Sequence, residues 1–145
     1  MRTWTATTTA AAQPEAVLAV LTDPGAAARW APVPFDVEDL DGDRLHAGGH
    51  ARVSGRLAGR SVGFDLHVHE AGAEGIALSA DGPVAFDVDY RLSPSAGGSR
   101  VDASVSVRSR GGLTGRLLAE ATGALLSAGA LQAALGRIAR EAAYC

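Results

Sequence analysis

Hydrophobic and polar residues alternate at every second position through most of the middle of the chain. The clearest alternating segments are residues 50–57, 61–69, 84–92 and 100–108, with shorter ones at 35–40 and 75–80. Alternation with a period of two is typical of β-strands that bury one face. The intervening residues are turn formers, such as "DGP" and "SPSAGGS". The pattern predicts a meandering antiparallel sheet with one apolar face and one polar face.

The first thirty residues predict a strand followed by two short helices. Residues 3–11 are rich in β-branched threonine, which favours a strand. Pro14 suits the first position of a helix, and Glu15 suits the positive end of the helix dipole. The "DPG" sequence at 23–25 ends this helix, and a short helical turn is expected at 26–30.

From residue 112 the apolar residues recur at helical spacing. The stripe consists of Leu113, Leu117, Ala121, Ala124, Ala128, Leu131, Leu135 and Ile138. It predicts a helix over residues 112–141, about 45 Å long at about 1.5 Å per residue. Glycines interrupt the stripe at 115, 123, 129 and 136, and each costs about 1 kcal/mol relative to alanine. A bend or a break within this helix is therefore also compatible with the sequence.

The segment "SVGFDLHVHE" at 61–70 places Asp65, His67 and His69 at alternate positions. Such a spacing could hold a metal ion or relay protons. However, these three residues have the opposite parity to the apolar residues of the same strand. We therefore predict that they lie on the solvated face of the sheet, away from the apolar face.

The turn that precedes this segment predicts which residues face the histidines. A two-residue loop at 59–60 would place His50 opposite His69 and Arg52 opposite His67. Two imidazoles can share a zinc ion, but Arg52 would repel the cation and no third ligand is evident. We predict no metal site and no cofactor, and the sequence leaves open whether His50 and His69 capture an adventitious ion.

Composition narrows the class of protein. The chain has 145 residues, of which 47% are hydrophobic, and its net charge is -3. This length predicts a single domain over residues 1–145. The weak acidity provides no basic face for nucleic acid, and no run of about 18 apolar residues could span a membrane.

Cysteine and arginine usage suggest where the protein works. Cys145 is the only cysteine, so no internal disulfide can form. The first ten residues contain no apolar leader, and we expect a cytoplasmic protein. All thirteen basic residues are arginine, which together with abundant alanine and glycine indicates a GC-rich, bacterial coding sequence.

Four segments in this order resemble one known family. They are "AAAQPEAVLAVLTDPGAAARW", "GGHARV", "GPVAFDVDYRLSPSAGGSRVDASV" and "LQAALGRIAREA". Together they resemble the polyketide cyclase/dehydrase branch of the START-like (SRPBCC, Bet v 1-like) superfamily. The resemblance implies an α+β helix-grip fold, in which a curved antiparallel sheet of about seven strands wraps around a long C-terminal helix. It places two short helices between the first two strands and a ligand cavity between the apolar face and the long helix.

The candidate ligand-binding residues follow from that geometry. They are the inward-facing sheet residues, two aromatic residues near the cavity mouth and one flank of the last helix: Trp30, Phe35, Val53, Phe64, Leu66, Phe86, Val88, Tyr90, Val105, Leu117, Glu120, Ala121 and Ala124. Tyr90 is the only proton-active residue of the inward sheet set, and it is the candidate catalytic residue. Its hydroxyl could instead bond a backbone carbonyl while its ring packs, and Glu120 could be a solvated carboxylate on the helix flank.

The resemblance implies a small hydrophobic ligand, aromatic or polyketide-like. Whether the protein is an enzyme stays open, since the superfamily contains cyclases as well as lipid and hormone carriers. One alternative is cyclisation or dehydration of the ligand with Tyr90 as the proton donor. The others are a non-enzymatic carrier and an accessory or assembly protein with a collapsed cavity. A homodimer is one of the arrangements that the sequence leaves open.

Overall fold

The computed structural model describes residues 2–30, 35–57, 59–109 and 112–143. Within these ranges, seven strands and four helices follow one another along the chain. They are β1 (Arg2–Ala10), α1 (Pro14–Thr22), α2 (Pro24–Trp30), β2 (Phe35–Leu40), β3 (His50–Leu57), β4 (Arg60–Gly72), β5 (Gly75–Asp81), β6 (Val84–Ser95), β7 (Gly98–Ser109), α3 (Gly112–Ser127) and α4 (Ala130–Ala143).

The seven strands form one antiparallel sheet in the order β1-β7-β6-β5-β4-β3-β2. Each strand from β2 to β7 pairs with its neighbour in sequence, because short turns join them. Strand β1 pairs instead with β7, since α1 and α2 carry the chain from one edge of the sheet to the other. The arrangement confirms the predicted α+β helix-grip fold.

The helices cover the apolar face of the sheet. Helix α4 packs against β1, α1 and α2, and α3 packs against β6 and β7. The largest fully buried side chains come from both layers and include Val17, Val101, Leu118, Leu135 and Ile138. The sheet and the four helices therefore share one hydrophobic core.

The C-terminal helix is broken, which corrects the prediction of one continuous helix over 112–141. Helices α3 and α4 meet at an angle of 61°. Gly129 lies in the break with a φ of 95°, a left-handed conformation that glycine adopts without steric cost. Within the described ranges, no single helix is long and apolar enough to span a membrane, although the bent pair passes by length and composition.

The break also changes which side of α3 faces inward. Leu131, Leu135 and Ile138 of α4 are buried, as the apolar stripe predicts. In α3, by contrast, Leu118 is buried while Leu117 is 51% exposed. The predicted stripe assumes one regular helix through residues 127–130, where the helix is in fact broken. One residue corresponds to about 100° of rotation around a helix. The predicted inward face of α3 was therefore wrong by one residue.

The β3–β4 hairpin has a different register from the one predicted. Leu57 pairs with Arg60, and Gly59, which precedes Arg60, has a φ of 76°. His50 consequently lies opposite His67 and not opposite His69. The register differs by two residues, so every side chain keeps its face of the sheet.

Candidate functional site

A cavity of about 300 Å³ lies between the concave face of the sheet and the helices. This volume is at the lower end of the range for small-molecule sites. The sheet lines it with apolar residues from β2 to β7, among them Val37, Val53, Val62, Phe64, Leu66, Leu78, Phe86, Val88, Tyr90 and Val105. The helices contribute Leu21, Trp30, Thr122, Leu125, Leu126, Leu131 and Ala134. Every wall of the cavity therefore contains apolar side chains.

Two aromatic pairs shape the interior. The rings of Phe64 and Phe86 are 5.3 Å apart between centroids, with their planes inclined by 49°. The ring of Trp30 meets that of Tyr90 edge to face, at 6.2 Å and 78°. Both geometries are among the favourable ones for aromatic side chains. The pairs fix the position of four of the largest side chains around the empty volume.

Tyr90 is the main titratable side chain of the cavity wall. It lies in β6 between Ile76 of β5 and Ala103 of β7, and it is 6% exposed. Burial raises the pKa of its hydroxyl well above the usual value, so the group stays protonated at neutral pH. Within the part of the chain that the structure describes, its hydroxyl has no hydrogen-bond partner. The alternative in which it bonds a backbone carbonyl is therefore not observed.

The other polar groups of the lining are few. The hydroxyl of Thr122 is buried and donates to the carbonyl oxygen of Leu118 at 2.8 Å. The indole nitrogen of Trp30 is enclosed and has no hydrogen-bond partner. Ser54 and Arg56 complete the polar part of the described lining, and the guanidinium of Arg56 is exposed. The wall can therefore donate a few hydrogen bonds but offers little charge.

Eight of the candidate ligand-binding residues lie in the cavity wall. They are Trp30, Val53, Phe64, Leu66, Phe86, Val88, Tyr90 and Val105. Seven of them are strand residues, which the alternation of side chains along each strand directs to the concave face, and Trp30 comes from α2. Phe35 begins β2, but its side chain lies outside the described part of the structure. The ligand-binding role of these residues stays a prediction.

The candidates on α3 do not line the cavity, and their placement there was wrong. Leu117, Glu120 and Ala124 are exposed, and Ala121 is partly exposed. The reason is the phase of α3, which turns a different set of residues inward. That set is Leu118, which is buried, with Thr122, Leu126 and the 40% exposed Leu125, which line the cavity. The spacing of these four residues forms a second helical stripe in the sequence, and this stripe could have identified the α3 residues that lie toward the cavity and the core.

The three histidines of β3 and β4 lie on the convex face, opposite the cavity. The rings of His50 and His67 are 4.4 Å apart between centroids, and those of His67 and His69 are 5.2 Å apart. All three side chains are exposed, as their parity predicts. Among the described residues, no group of three potential ligands has a geometry that could hold a metal ion.

Arg52 lies opposite Asp65 and not opposite His67, and its charge is paired. Its guanidinium Nη1 lies 2.8 Å from Oδ1 of Asp65, its cross-strand partner. His69 meets Ser79, with 2.6 Å between Nε2 and Oγ, and the hydroxyl of Ser79 donates to Asp87 at 3.1 Å. In this series of hydrogen bonds, Ser79 lies between the imidazole of His69 and the carboxylate of Asp87. Hydrolytic relays instead place the imidazole in the middle, so the arrangement does not generate a nucleophile.

The loop of residues 41–49 closes one side of the cavity and is held by His46. Its Nε2 lies 2.9 Å from the carbonyl oxygen of Asp41, and its Nδ1 lies 3.2 Å from that of Ala47. Both partners are acceptors, so both nitrogens can donate only in the protonated imidazolium. The hydrogen bond to Ala47, and then the one to Asp41, raise the pKa of His46. In the same loop, Leu45 lines the cavity and donates its N–H to the carbonyl oxygen of Thr22 at 3.0 Å.

Known structures share this architecture at low sequence identity. Protein CV1439 from Chromobacterium violaceum is 18% identical, with a TM-score of 0.71 over 97% of this chain and 96% of that one. The Bet v 1-like protein Ara h 8.0201 is 14% identical, with a TM-score of 0.63 over 94% and 97%. DynU16, a protein of the dynemicin biosynthetic locus, is 20% identical, with a TM-score of 0.63 over 95% of this chain and 46% of that one. These likenesses show the fold.

A comparison with curated proteins finds no match. A family profile described as "Polyketide cyclase / dehydrase and lipid transport" does match, over residues 1–143. The match spans all the described elements, from β1 to α4. The chain therefore belongs to the polyketide cyclase / dehydrase and lipid transport family.

Proposed function

We propose that the protein binds one small hydrophobic molecule, aromatic or polyketide-like, in the cavity between the sheet and helices α3 and α4. The observation that carries the proposal is an open volume of about 300 Å³ with an almost wholly apolar wall. A void of this size with apolar walls sacrifices packing that the core would otherwise have. A ligand restores those contacts.

Apolar burial supplies the binding energy. A ligand that buries about 200 Å² of apolar surface, as a large aromatic side chain does, would gain about 5 kcal/mol at about 25 cal/mol per Å². The loss of translational and rotational freedom offsets part of that gain. The few polar groups of the wall would then set the orientation of the ligand.

A second candidate function is cyclisation or dehydration of the bound molecule. It is favoured by the hydroxyl of Tyr90, which belongs to the cavity wall, and by the family description. In this function the cavity would fold a reactive chain into one conformer and exclude water, and Tyr90 would donate a hydrogen bond to a carbonyl oxygen. The described wall contains no carboxylate or imidazole to act as a general base. Binding therefore has more support than proton-transfer catalysis.

The accessory role with a collapsed cavity has little support, because it requires side chains to fill the space between sheet and helices. A carrier and a cyclase both require the open cavity. The two differ in whether Tyr90→Phe abolishes turnover of a bound polyketide-like compound while binding is kept. A carrier has no turnover to lose.

Mass spectrometry tests the binding function directly. The protein, without a histidine tag, is incubated with an organic extract of bacterial cells, desalted, and measured under native and denaturing conditions. We expect one additional mass of a few hundred daltons per chain that disappears on denaturation. Identical native and denatured masses, both as isolated and after incubation, would contradict the proposal.

A further inference from the structure

We infer that the cavity selects an uncharged hydrophobic molecule that carries a hydrogen-bond acceptor, such as a ketone or ester carbonyl, and that this acceptor bonds the hydroxyl of Tyr90. The inference rests on the proposed function, because it concerns the ligand of the same cavity. It adds the chemical class of that ligand and the residue that recognises it.

The first observation is the unpartnered hydroxyl of Tyr90. The side chain is 6% exposed and lines the cavity. Within the described residues no atom accepts a hydrogen bond from its hydroxyl. The side chain as a whole is buried, but its hydroxyl oxygen is not fully enclosed, so the cavity that the ring lines leaves the hydroxyl accessible to a bound molecule. An acceptor on the ligand would provide the missing partner.

Trp30 provides a second donor in the same place. Its indole Nε1 is enclosed and lacks a hydrogen-bond partner, while its ring contacts that of Tyr90 edge to face. Trp30 thus places an enclosed donor beside the accessible hydroxyl of Tyr90, and among the described residues neither donor has an acceptor. The chemistry missing at this end of the cavity is an acceptor atom.

Charge complementarity decides between a neutral acceptor and an anionic one. Arg56 is the one charged side chain in the described lining, and it is exposed and donates to the carbonyl oxygen of Gly59 at 3.0 Å. Arg56 lies opposite Ser61 of β4. Tyr90 lies opposite Ile76 of β5, and Ile76 in turn lies opposite Ala71 of β4. These positions on β4 are roughly 30 Å apart at about 3.3 Å per residue.

The charged neighbours of Tyr90 in sequence do not reach the cavity. Asp89 and Arg91 point to the convex face, where Nε of Arg91 lies 3.0 Å from Oδ1 of Asp89. Arg137 of α4 lies near this end, with Nη1 3.5 Å from the carbonyl oxygen of Trp30, but it is not part of the described cavity wall. A carboxylate or an ammonium group placed beside Tyr90 would therefore be desolvated without a counter-charge in the described wall, which is strongly unfavourable. Since the hydroxyl of Tyr90 is a donor and the described wall holds no charge here, a neutral oxygen acceptor fits this end of the cavity.

Three compounds of nearly equal shape separate the contributions of apolar burial, of a neutral hydrogen-bond acceptor and of a negative charge. Isothermal titration calorimetry is carried out with 2-acetylnaphthalene, with the hydrocarbon 2-isopropylnaphthalene and with the anion 2-naphthoate. We expect the ketone to bind about five to ten times more tightly than the hydrocarbon, which is the usual net value of one hydrogen bond. We expect 2-naphthoate to bind more weakly than both.

Substitutions assign the preference to a residue. Tyr90→Phe should reduce the preference for the ketone over the hydrocarbon to about twofold or less, because the ring stays and only the donor is lost. Trp30→Phe removes the second donor and should reduce the same preference by a smaller factor. Phe86→Leu, a change elsewhere in the wall, should alter the affinities for both compounds by the same factor. Thermal unfolding of each variant checks that it folds.

Two results would overturn the inference alone. They are an unchanged preference for the ketone in Tyr90→Phe, and tightest binding of 2-naphthoate to the wild-type protein. Failure of all three compounds to bind the wild-type protein would instead contradict the proposed function, and the inference with it.

Discussion

At the scale of single residues, Tyr90 shows how far the sequence predicts a site. Its position on the apolar face follows from strand alternation, and the structure places it there. The lack of a hydrogen-bond partner does not follow from the sequence, because it depends on which atoms surround the hydroxyl after folding. Trp30 is similar, since its indole N–H has no partner among the elements that enclose it. The sequence therefore predicts that these residues line the cavity, but it does not predict that their donors lack a hydrogen-bond partner.

His46 makes the stability of the protein depend on pH. Its two ring nitrogens face two carbonyl oxygens, and the carboxylate of Asp41 lies 3.8 Å from Nε2. These acceptors raise the pKa of His46 above its value of 6.5 in an unfolded chain. The stabilisation is therefore complete below pH 6.5 and is lost as the pH rises through the higher pKa of the folded state.

His46→Ala should destabilise the protein more at pH 5.5 than at pH 8. The measurement is the free energy of unfolding in urea, for wild type and variant at both pH values. The other three histidines are present in both proteins, so their titration cancels in the difference between the two. An equal loss of stability at the two pH values would show that the imidazolium does not hold the loop.

At the scale of elements, the two periodicities of the sequence differ in how well they predict structure. A strand that slips by two residues keeps each side chain on its face, so the apolar face was predicted correctly although the β3–β4 register was not. A helix has no such tolerance, because a shift of one residue rotates a side chain by about 100°. The break at Gly129 therefore left α4 correct and turned the predicted face of α3 away from the core.

The neighbouring leucines of α3 test its orientation. Leu118 is 1% exposed and Leu117 is 51% exposed. We expect Leu118→Ala to lower the free energy of unfolding by about 2–5 kcal/mol, as for other buried leucines. Leu117→Ala should change it by no more than about 0.5 kcal/mol. Chemical denaturation measures both, and a larger loss for Leu117→Ala would restore the continuous stripe that the sequence suggested.

At the scale of the whole molecule, the cavity is the feature that the sequence could indicate but not measure. Small residues facing the interior, such as Gly55, favour open space. The actual volume is the difference between the space that sheet and helices enclose and the side chains that fill it. That difference depends on the curvature of the sheet and on the angle between α3 and α4, and neither is encoded in a local pattern. The structure gives this volume as about 300 Å³.

The central claim is that a hydrophobic ligand occupies this volume, and two matched substitutions test it most directly. Val88 lines the cavity, while Ser104, opposite Asp89 in the sheet, is partly exposed on the convex face. Val88→Phe adds an aromatic ring inside the cavity, and Ser104→Phe adds one outside it. Circular dichroism checks that both variants fold.

The measurement is a fluorescence titration with prodan, an uncharged naphthyl ketone dye whose emission shifts to the blue in apolar surroundings. We expect wild type and Ser104→Phe to bind one dye per chain with equal affinity. Val88→Phe should bind at least about fivefold more weakly, because overpacking the wall costs about 1–3 kcal/mol. Equal affinity of the two variants, or no blue shift with the wild-type protein, would contradict the claim that the cavity is the binding site.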